Sequence, residues 1–194
     1  MPPTEPHRGP KPIVISGPSG SGKSTITNRL IAAYPDRFMF SVSHTTRRPR
    51  SGEVPGQHYY FLTRDQFDKL IAEGGFIEHA EFSGNKYGTS YMAVQAAQDA
   101  GKTCILDIEM EGVKQMHNSH LQARYLFLSP PSYEELEKRL RGRGTDKEED
   151  IQKRLKQAKT EMEYAETEGV HDKKVVNDDL EKAYKEVEEF CLAE

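Results

Sequence analysis

The segment that most restricts what this chain can become is Gly17-Pro18-Ser19-Gly20-Ser21-Gly22-Lys23-Ser24, which fits G-x-x-x-x-G-K-[ST]. It follows Pro12-Ile13-Val14-Ile15, a run too short and too β-branched for a helix. It precedes a helical stretch from Lys23 to about Tyr34 with Ile26, Leu30 and Ile31 on one face. Strand, glycine turn and helix in that order form the setting in which such a loop wraps a polyphosphate. Glycines let the backbone curl until successive N–H groups point inward, and the helix N-terminus adds partial positive charge. Lys23 then reaches the β/γ-phosphates, and the Ser24 hydroxyl can ligate Mg²⁺. An ordinary Gly/Ser connection would not require strand, spacing and helix together.

The rest of the chain must supply a core around that loop. Leu, Ile, Val and Phe total 38 of 194 residues, near the composition at which chains become disordered. Disorder also wants high net charge, whereas Lys+Arg 27 against Asp+Glu 31 gives -4. The near balance argues against general nucleic-acid binding but permits a local basic site. No apolar run approaches the roughly 18 residues of a membrane span, so no membrane partner is expected. Met1 to Pro12 has no signal-peptide pattern and reads as a flexible leader. Cys104 and Cys191 read as inert, reduced thiols of a cytoplasmic protein. The seven histidines show no metal spacing.

Further strands are expected at Phe38–Val42, Tyr59–Leu62, Phe76–Phe82, Thr103–Ile108, Arg124–Leu128 and Lys174–Val176. His44 to Gln57, basic and rich in Gly and Pro, reads as a loop, and Ser83-Gly84-Asn85 as a turn. Thr63 with Gln66, and Ser132 with Glu135, predict capping boxes. Further helices are expected over Ser90–Ala100, Val113–His117, Lys147–Glu166 and Asp179–Phe190. In the third of these, Ile151, Leu155, Ala158, Met162 and Ala165 form one narrow stripe. Alternating strands and helices predict an α/β fold with a parallel sheet and right-handed crossovers, and residues 41–92 look like an inserted lobe.

Two arginine clusters follow the loop in sequence: Arg47, Arg48 and Arg50, then Arg139, Arg141 and Arg143, with Arg154 on the next helix. A helix C-terminus accounts for Arg139 and Arg141, but not for Arg47–Arg50. Phosphoryl transfer needs guanidinium groups because its transition state is mostly charge. Glycines around Arg143 would let a lid close. Asp107, at a strand end, is either a Mg²⁺ carboxylate or a turn residue. Glu78 alone is either an exposed strand carboxylate or a ligand acceptor.

Several stretches together resemble the guanylate kinase family: Gly17–Thr25, Ser41-Val42-Ser43-His44-Thr45-Thr46-Arg47, Gly52-Glu53-Val54-Pro55-Gly56, Phe76-Ile77-Glu78, Tyr87-Gly88-Thr89, Cys104–Ile108 and Gly142-Arg143-Gly144-Thr145. The resemblance runs from about Ile13 to the end. It implies an α/β P-loop nucleoside monophosphate kinase fold: a parallel sheet core (13–40, 93–131 and 167–194), a GMP-binding lobe (41–92) and a helical lid (about 132–166). It also implies the reaction ATP + GMP → ADP + GDP with Mg²⁺, extended to dGMP. The narrow apolar stripes, with no obvious exposed apolar patch, lead us to expect a monomer. By position, ATP would be held by Gly17, Pro18, Ser19, Gly20, Ser21, Gly22, Lys23, Ser24, Thr25 and Asn177, with Asn177 near the adenine. Arg47, Arg50, Tyr59 and Tyr87 would hold the GMP phosphate; Ser43, Glu78, Thr89 and Glu109 would face guanine, with Asp107 close by. The catalytic cations would be Lys23, Arg47, Arg139, Arg143 and Arg154, and Mg²⁺ would use Ser24 and Asp107.

The guanine assignment has independent chemical sense. Guanine offers N1–H and N2–H₂ donors beside an O6 acceptor, so carboxylates can accept and a hydroxyl can donate. Adenine would leave those carboxylates unpaired, a mismatch worth about 10⁴ or more in discrimination. Two positions depart from the family: Thr89 stands where Ser is common, and Glu109 where Asp is common. The same residues admit two other readings. One is a phosphopeptide-binding module of the same fold, which usually has a degraded phosphate loop; the other is a kinase for a different monophosphate.

Overall fold

A computed structural model describes residues 9–82, 84–142 and 147–193. Nine strands and seven helices follow one another along these residues. They form two compact units.

One unit comprises Ile13–Pro35, Ile105–Met110 and the chain from Ala123 onward. Its strands are β1 (Ile13–Ser16), the latter part of β7 (Thr103–Asp107), β8 (Arg124–Ser129) and β9 (Lys173–Val176). Parallel register pairs Ile15 of β1 with Asp107 on one side and with Leu126 of β8 on the other, and Leu128 with Val175 of β9. β1, β7 and β8 are covered on both faces, which explains their apolar runs, whereas the edge strand β9 buries only Val175. Ile13, Val14, Ile15, Ile105, Leu126 and Leu128 are accordingly buried. The helices here are α1 (Lys23–Ala33), α5 (Tyr133–Gly142), α6 (Glu148–Ala165) and α7 (Leu180–Leu192). Ser132 Oγ accepts from Glu135 N–H at the start of α5, the forward half of the expected capping box, while the Glu135 carboxylate accepts from Arg139 Nε.

The buried face of α6 differs from the expected stripe. Ile151, Leu155, Ala158 and Ala165 are inside, but Glu161 takes the place of Met162. A helical turn admits either residue between 158 and 165; hydrophobicity favours Met162, and the Glu161 carboxylate instead finds a partner, described below. On α1, Thr27 is buried beside Ile26 and Leu30 while Ile31 is half-buried, because Thr27 Oγ1 is satisfied by the Lys23 carbonyl at 2.9 Å.

The other unit takes the described part of Met1–Pro12 together with Asp36–Cys104 and Glu111–Gln122. Its sheet has the order β4-β3-β6-β5, with β3 His44–Thr45, β4 Tyr60–Phe61, β5 Phe76–Phe82 and β6 Asn85–Ser90. Helices α2 (Arg64–Ala72), α3 (Tyr91–Asp99) and most of α4 (Met110–His117) accompany it. The Thr63/Gln66 capping box is present in both directions. Two strands were not expected: β3 inside the presumed loop, and β6, whose first residue lies in the presumed turn. Both are polar and lack apolar alternation, and pairing across the sheet holds them. Thr45 pairs with Tyr87 and with Phe61, and Glu78 with Thr89. β2 (Phe38–Phe40) stops two residues before the expected Val42, and the Arg37 carbonyl accepts from Thr103 N–H at the start of β7 at 2.8 Å. Residues 9–12 are tied to α3, since Gln98 Nε2 donates to the Pro10 carbonyl at 3.3 Å. Among the described residues no helix is long and apolar enough to cross a membrane. Cys104 and Cys191 are buried and unpaired, and burial pushes both thiols up to about 12.

Candidate active site

The loop after β1 is shaped by close approach. Gly17 has φ +143°, and a Cβ there would fall 2.2 Å from the Leu128 carbonyl oxygen. Gly22, the N-cap of α1, has φ +98°, and its Cβ would fall 2.4 Å from Asn177 Nδ2. No side chain caps α1, so its first N–H groups keep their capacity for an anion. Lys23 Nζ donates to the carbonyls of Gly17 (2.5 Å) and Pro18 (3.4 Å) and lies 3.9 Å from Asp107 Oδ1. Ser24 and Thr25 are exposed at the helix start. The buried Ser21 Oγ meets no hydrogen-bond partner among the described residues.

Three expected residues gather on this loop. Arg154 Nη1 donates to Ser19 Oγ at 2.7 Å. Arg139 Nη2 donates to the Asn177 carbonyl at 3.0 Å, and its Nε to Glu135 at 3.3 Å. Asn177, expected near the adenine, sends its own Nδ2 to the Ser21 carbonyl at 2.8 Å. Arg143 lies outside the described residues.

Asp107 keeps 38 % of its side chain exposed, yet the groups packed around it raise its pKa, with Lys23 pulling the other way and Glu109 adding to the rise. The buried Glu161 is raised for the same first reason, opposed by Gln157 and Lys23. Gln157 Nε2 donates to Glu161 at 2.7 Å and reaches Glu109 at 3.5 Å. Gln157 and Glu161 were not anticipated, because a carboxylate on a charged helix reads as solvated surface. As donors, the Ser24 hydroxyl and the Asp107 carboxylate are hard oxygens that suit Mg²⁺, an ion that keeps most of its shell as water and phosphate. The pairing of Ile15 with Asp107 sets that carboxylate one strand away from the origin of the loop.

In the other unit a second cluster forms around Arg47. Its guanidinium pairs through both ends with Glu53, at 2.7 and 3.0 Å, and Glu53 also accepts from Arg50 N–H at 2.7 Å. The Arg47 bonds, then the Arg50 amide, hold the Glu53 carboxyl down to about 2. Arg47 Cζ lies 5.3 Å from the centre of the Tyr59 ring, and Tyr59 meets Tyr87 edge-on at 6.4 Å. Arg47, Tyr59 and Tyr87 are thus brought together, while the Arg50 side chain is exposed. Glu53 carried no assigned role in the sequence; its spacing of three and six residues from two arginines within a Gly/Pro loop is the signal that could have found it. Glu78 and Thr89 are cross-strand partners, Thr89 buried and Glu78 half-buried. Ser43 is half-buried, and its carbonyl accepts from Tyr60 N–H at 2.8 Å. The buried His44 packs against Tyr60 and Phe76, and burial lowers its pKa.

A parallel sheet whose central strand opens into a glycine-lined cradle, with a lysine on its own loop carbonyls and two arginines drawn onto it, defines a P-loop nucleotide kinase. A family profile described as guanylate kinase matches residues 9–194. Guanylate kinase from Schizosaccharomyces pombe is 53% identical over 184 residues, covering 95% of this chain and 91% of that protein. The Homo sapiens enzyme is 50% identical over 186 residues, covering 96% and 94%. The crystal structure of guanylate kinase from Anaplasma phagocytophilum superposes with a TM-score of 0.67 at 32% identity, covering 95% of this chain and 85% of that one. The chain belongs to the guanylate kinase family.

Proposed function

We propose that the chain transfers the γ-phosphoryl group of ATP to GMP, giving ADP and GDP, and that it accepts dGMP as well. The observation that carries the guanine reading is the cross-strand pairing of Glu78 with Thr89, which sets a carboxylate acceptor beside a hydroxyl donor. Guanine needs that combination and adenine inverts it. Ser43 and Glu109 complete the base contacts, and Arg47, Arg50, Tyr59 and Tyr87 take the phosphate. An oxygen of that phosphate attacks the γ-phosphorus in line while the bond to the β,γ-bridging oxygen breaks, and ADP departs. Backbone N–H groups of the loop and of the first turn of α1 hold the ATP phosphates, apart from Pro18, which has none, and Ser21, whose N–H donates to the Pro18 carbonyl. Lys23, Arg139 and Arg154, with Arg143 outside the described residues, balance charge on the transferring group. Mg²⁺ held by ATP and by Ser24 and Asp107, partly through water, supplies charge neutralisation and orientation of the phosphates when bound. A single chain supplies every residue named, in keeping with a reaction carried out by the monomer.

A coupled ADP-release assay comparing GMP, dGMP, AMP, CMP and UMP tests the reading. GMP and dGMP should turn over far faster than the others, and Glu78→Gln should mainly raise KM for GMP. Preference for AMP would overturn the guanine assignment and leave the phosphate loop untouched.

A further inference from the structure

A cradle that points its N–H groups inward must turn carbonyls outward, and outward carbonyls in a packed region need donors. The loop meets this requirement at Gly17 and Pro18 through Lys23. At Ser21 the donor comes from 156 residues away: the Asn177 side-chain amide, at 2.8 Å in a buried contact. Asn177 is itself only 6 % exposed. Its backbone is fixed too, because its N–H donates to the Ser129 carbonyl at the end of β8 at 2.8 Å. Its carbonyl accepts from Arg139 Nη2 at 3.0 Å, and Arg139 Nε is held by Glu135 one turn earlier on α5. One residue therefore touches β8, the loop carbonyl at the mouth of α1, and an arginine of α5. Gly22 fits the same account, since any Cβ there would collide with Asn177 Nδ2.

We propose that Asn177 is a positioning residue that couples the Arg139 guanidinium to the phosphate loop. It acts through two bonds, side-chain amide to Ser21 and backbone carbonyl from Arg139, so the loop and the arginine share one anchor. Two of the five guanidinium N–H groups, on Nε and Nη2, are spent on orientation, and the remaining three, two of them on Nη1, are what the guanidinium can offer a phosphate oxygen. The proposal rests on the reading of Arg139 as an ATP-phosphate group, and the test separates the two.

The test compares Asn177→Asp, Asn177→Ala, Arg139→Ala and the double variant Asn177→Asp/Arg139→Ala with ATP and GMP as substrates. Asn177→Asp keeps size and backbone but sets an acceptor against the Ser21 carbonyl. It should lower kcat by about tenfold or more, as small misplacements near a reacting group do, with KM for GMP unchanged. In the double variant kcat should fall no further than in Arg139→Ala alone, within about threefold. Effects that multiply in full overturn the coupling, and so does an Asn177→Asp protein with a lower melting temperature but wild-type kcat. Wild-type kcat in Arg139→Ala overturns the reading of Arg139 on which the coupling rests. A further measurement leaves Asn177 intact: its side-chain amide NMR signals should shift in Arg139→Ala and on adding ADP. Signals that move in neither case refute the shared anchor even where the Asn177 variants fail to fold.

Discussion

Leu136→Ala tests whether α5 supports the phosphate loop as well as the fold. Leu136 is fully buried in a cluster with Leu140, Ile151, Leu155 and Ala158, with Tyr133 packed against it. Its Cδ1 lies 3.0 Å from where a Cβ on Gly20 would stand, so the same methyl that fills this cluster also backs the loop. Truncation removes three carbons, about 2.4 kcal/mol at ~0.8 kcal/mol each. An unfilled void of roughly 50 Å³ adds about 1.2 kcal/mol, for a total near 3–4 kcal/mol. Urea unfolding should therefore show the midpoint falling by that amount divided by the slope m. With Gly20 unbacked, KM for ATP should rise by about threefold or more, while KM for GMP holds. Leu136→Met, which conserves volume, should lose under about 1.5 kcal/mol and keep KM for ATP. A loss below about 1 kcal/mol, or equal rises in both KM values, would refute the idea that one side chain serves core and loop.

Lys23→Ala should reduce kcat on the order of 10³-fold while calorimetric GMP binding persists; activity within tenfold of wild type would remove Lys23 from the charge-balancing set. Gly17→Ala sets a Cβ 2.2 Å from the Leu128 carbonyl at φ +143°, so the melting temperature and ATP affinity should both drop, and wild-type values for both would show the loop is not held there. Glu53→Gln should raise KM for GMP on the order of tenfold, because an amide cannot accept both ends of the Arg47 fork. Glu53 has a lowered pKa, so its contribution is complete above its ordinary value near 4.5 and disappears as pH falls toward about 2. Wild type and Glu53→Gln should accordingly differ in stability at pH 6 and converge near pH 2, as followed by circular dichroism.

What was legible from the sequence was whatever is written locally. The strand–loop–helix at Ile13–Ala33 carries its own periodicity, glycines and lysine within about two dozen residues. The Thr63 cap is likewise a four-residue signal. β3 and β6 were illegible for the opposite reason. His44–Thr45 and Asn85–Ser90 have no alternation, and only pairing with other strands makes them strands: β3 pairs with β4 and with the distant β6, and β6 pairs with β5. Site chemistry follows the same division. Lys23 and the arginines could be named from composition and motif, but their partners could not. Ser19 lies 135 residues from Arg154, and Ser21 lies 156 from Asn177. Glu161 shows the subtler case: a periodic stripe was identified correctly in its spacing, yet the residue chosen for one slot was the more hydrophobic one, because its amide partner Gln157 could not be weighed.

The two phosphate-directed cations in these units are held by different kinds of acceptor, and this sets how each meets its substrate. Lys23 rests chiefly on neutral carbonyls at 2.5 and 3.4 Å, with Asp107 farther off at 3.9 Å. A phosphate oxygen that replaces a carbonyl gains a full charge interaction for the loss of a dipole, so this end exchanges readily. Arg47 is bound through both ends of its fork to a carboxylate that stays ionised to about pH 2. At any pH where a nucleotide phosphate is a dianion, Glu53 is charged as well. A phosphate meeting Arg47 therefore adds a second anion to a guanidinium whose plane is already set, and Glu53 opposes it by charge while aiding it by orientation. In the proposed site the unopposed charge is then that of Arg50, whose backbone joins Glu53 but whose side chain remains exposed, with Tyr59 and Tyr87 as the neutral partners. On the proposed roles, recognition of the monophosphate divides between an arginine fixed for direction and one left available for charge.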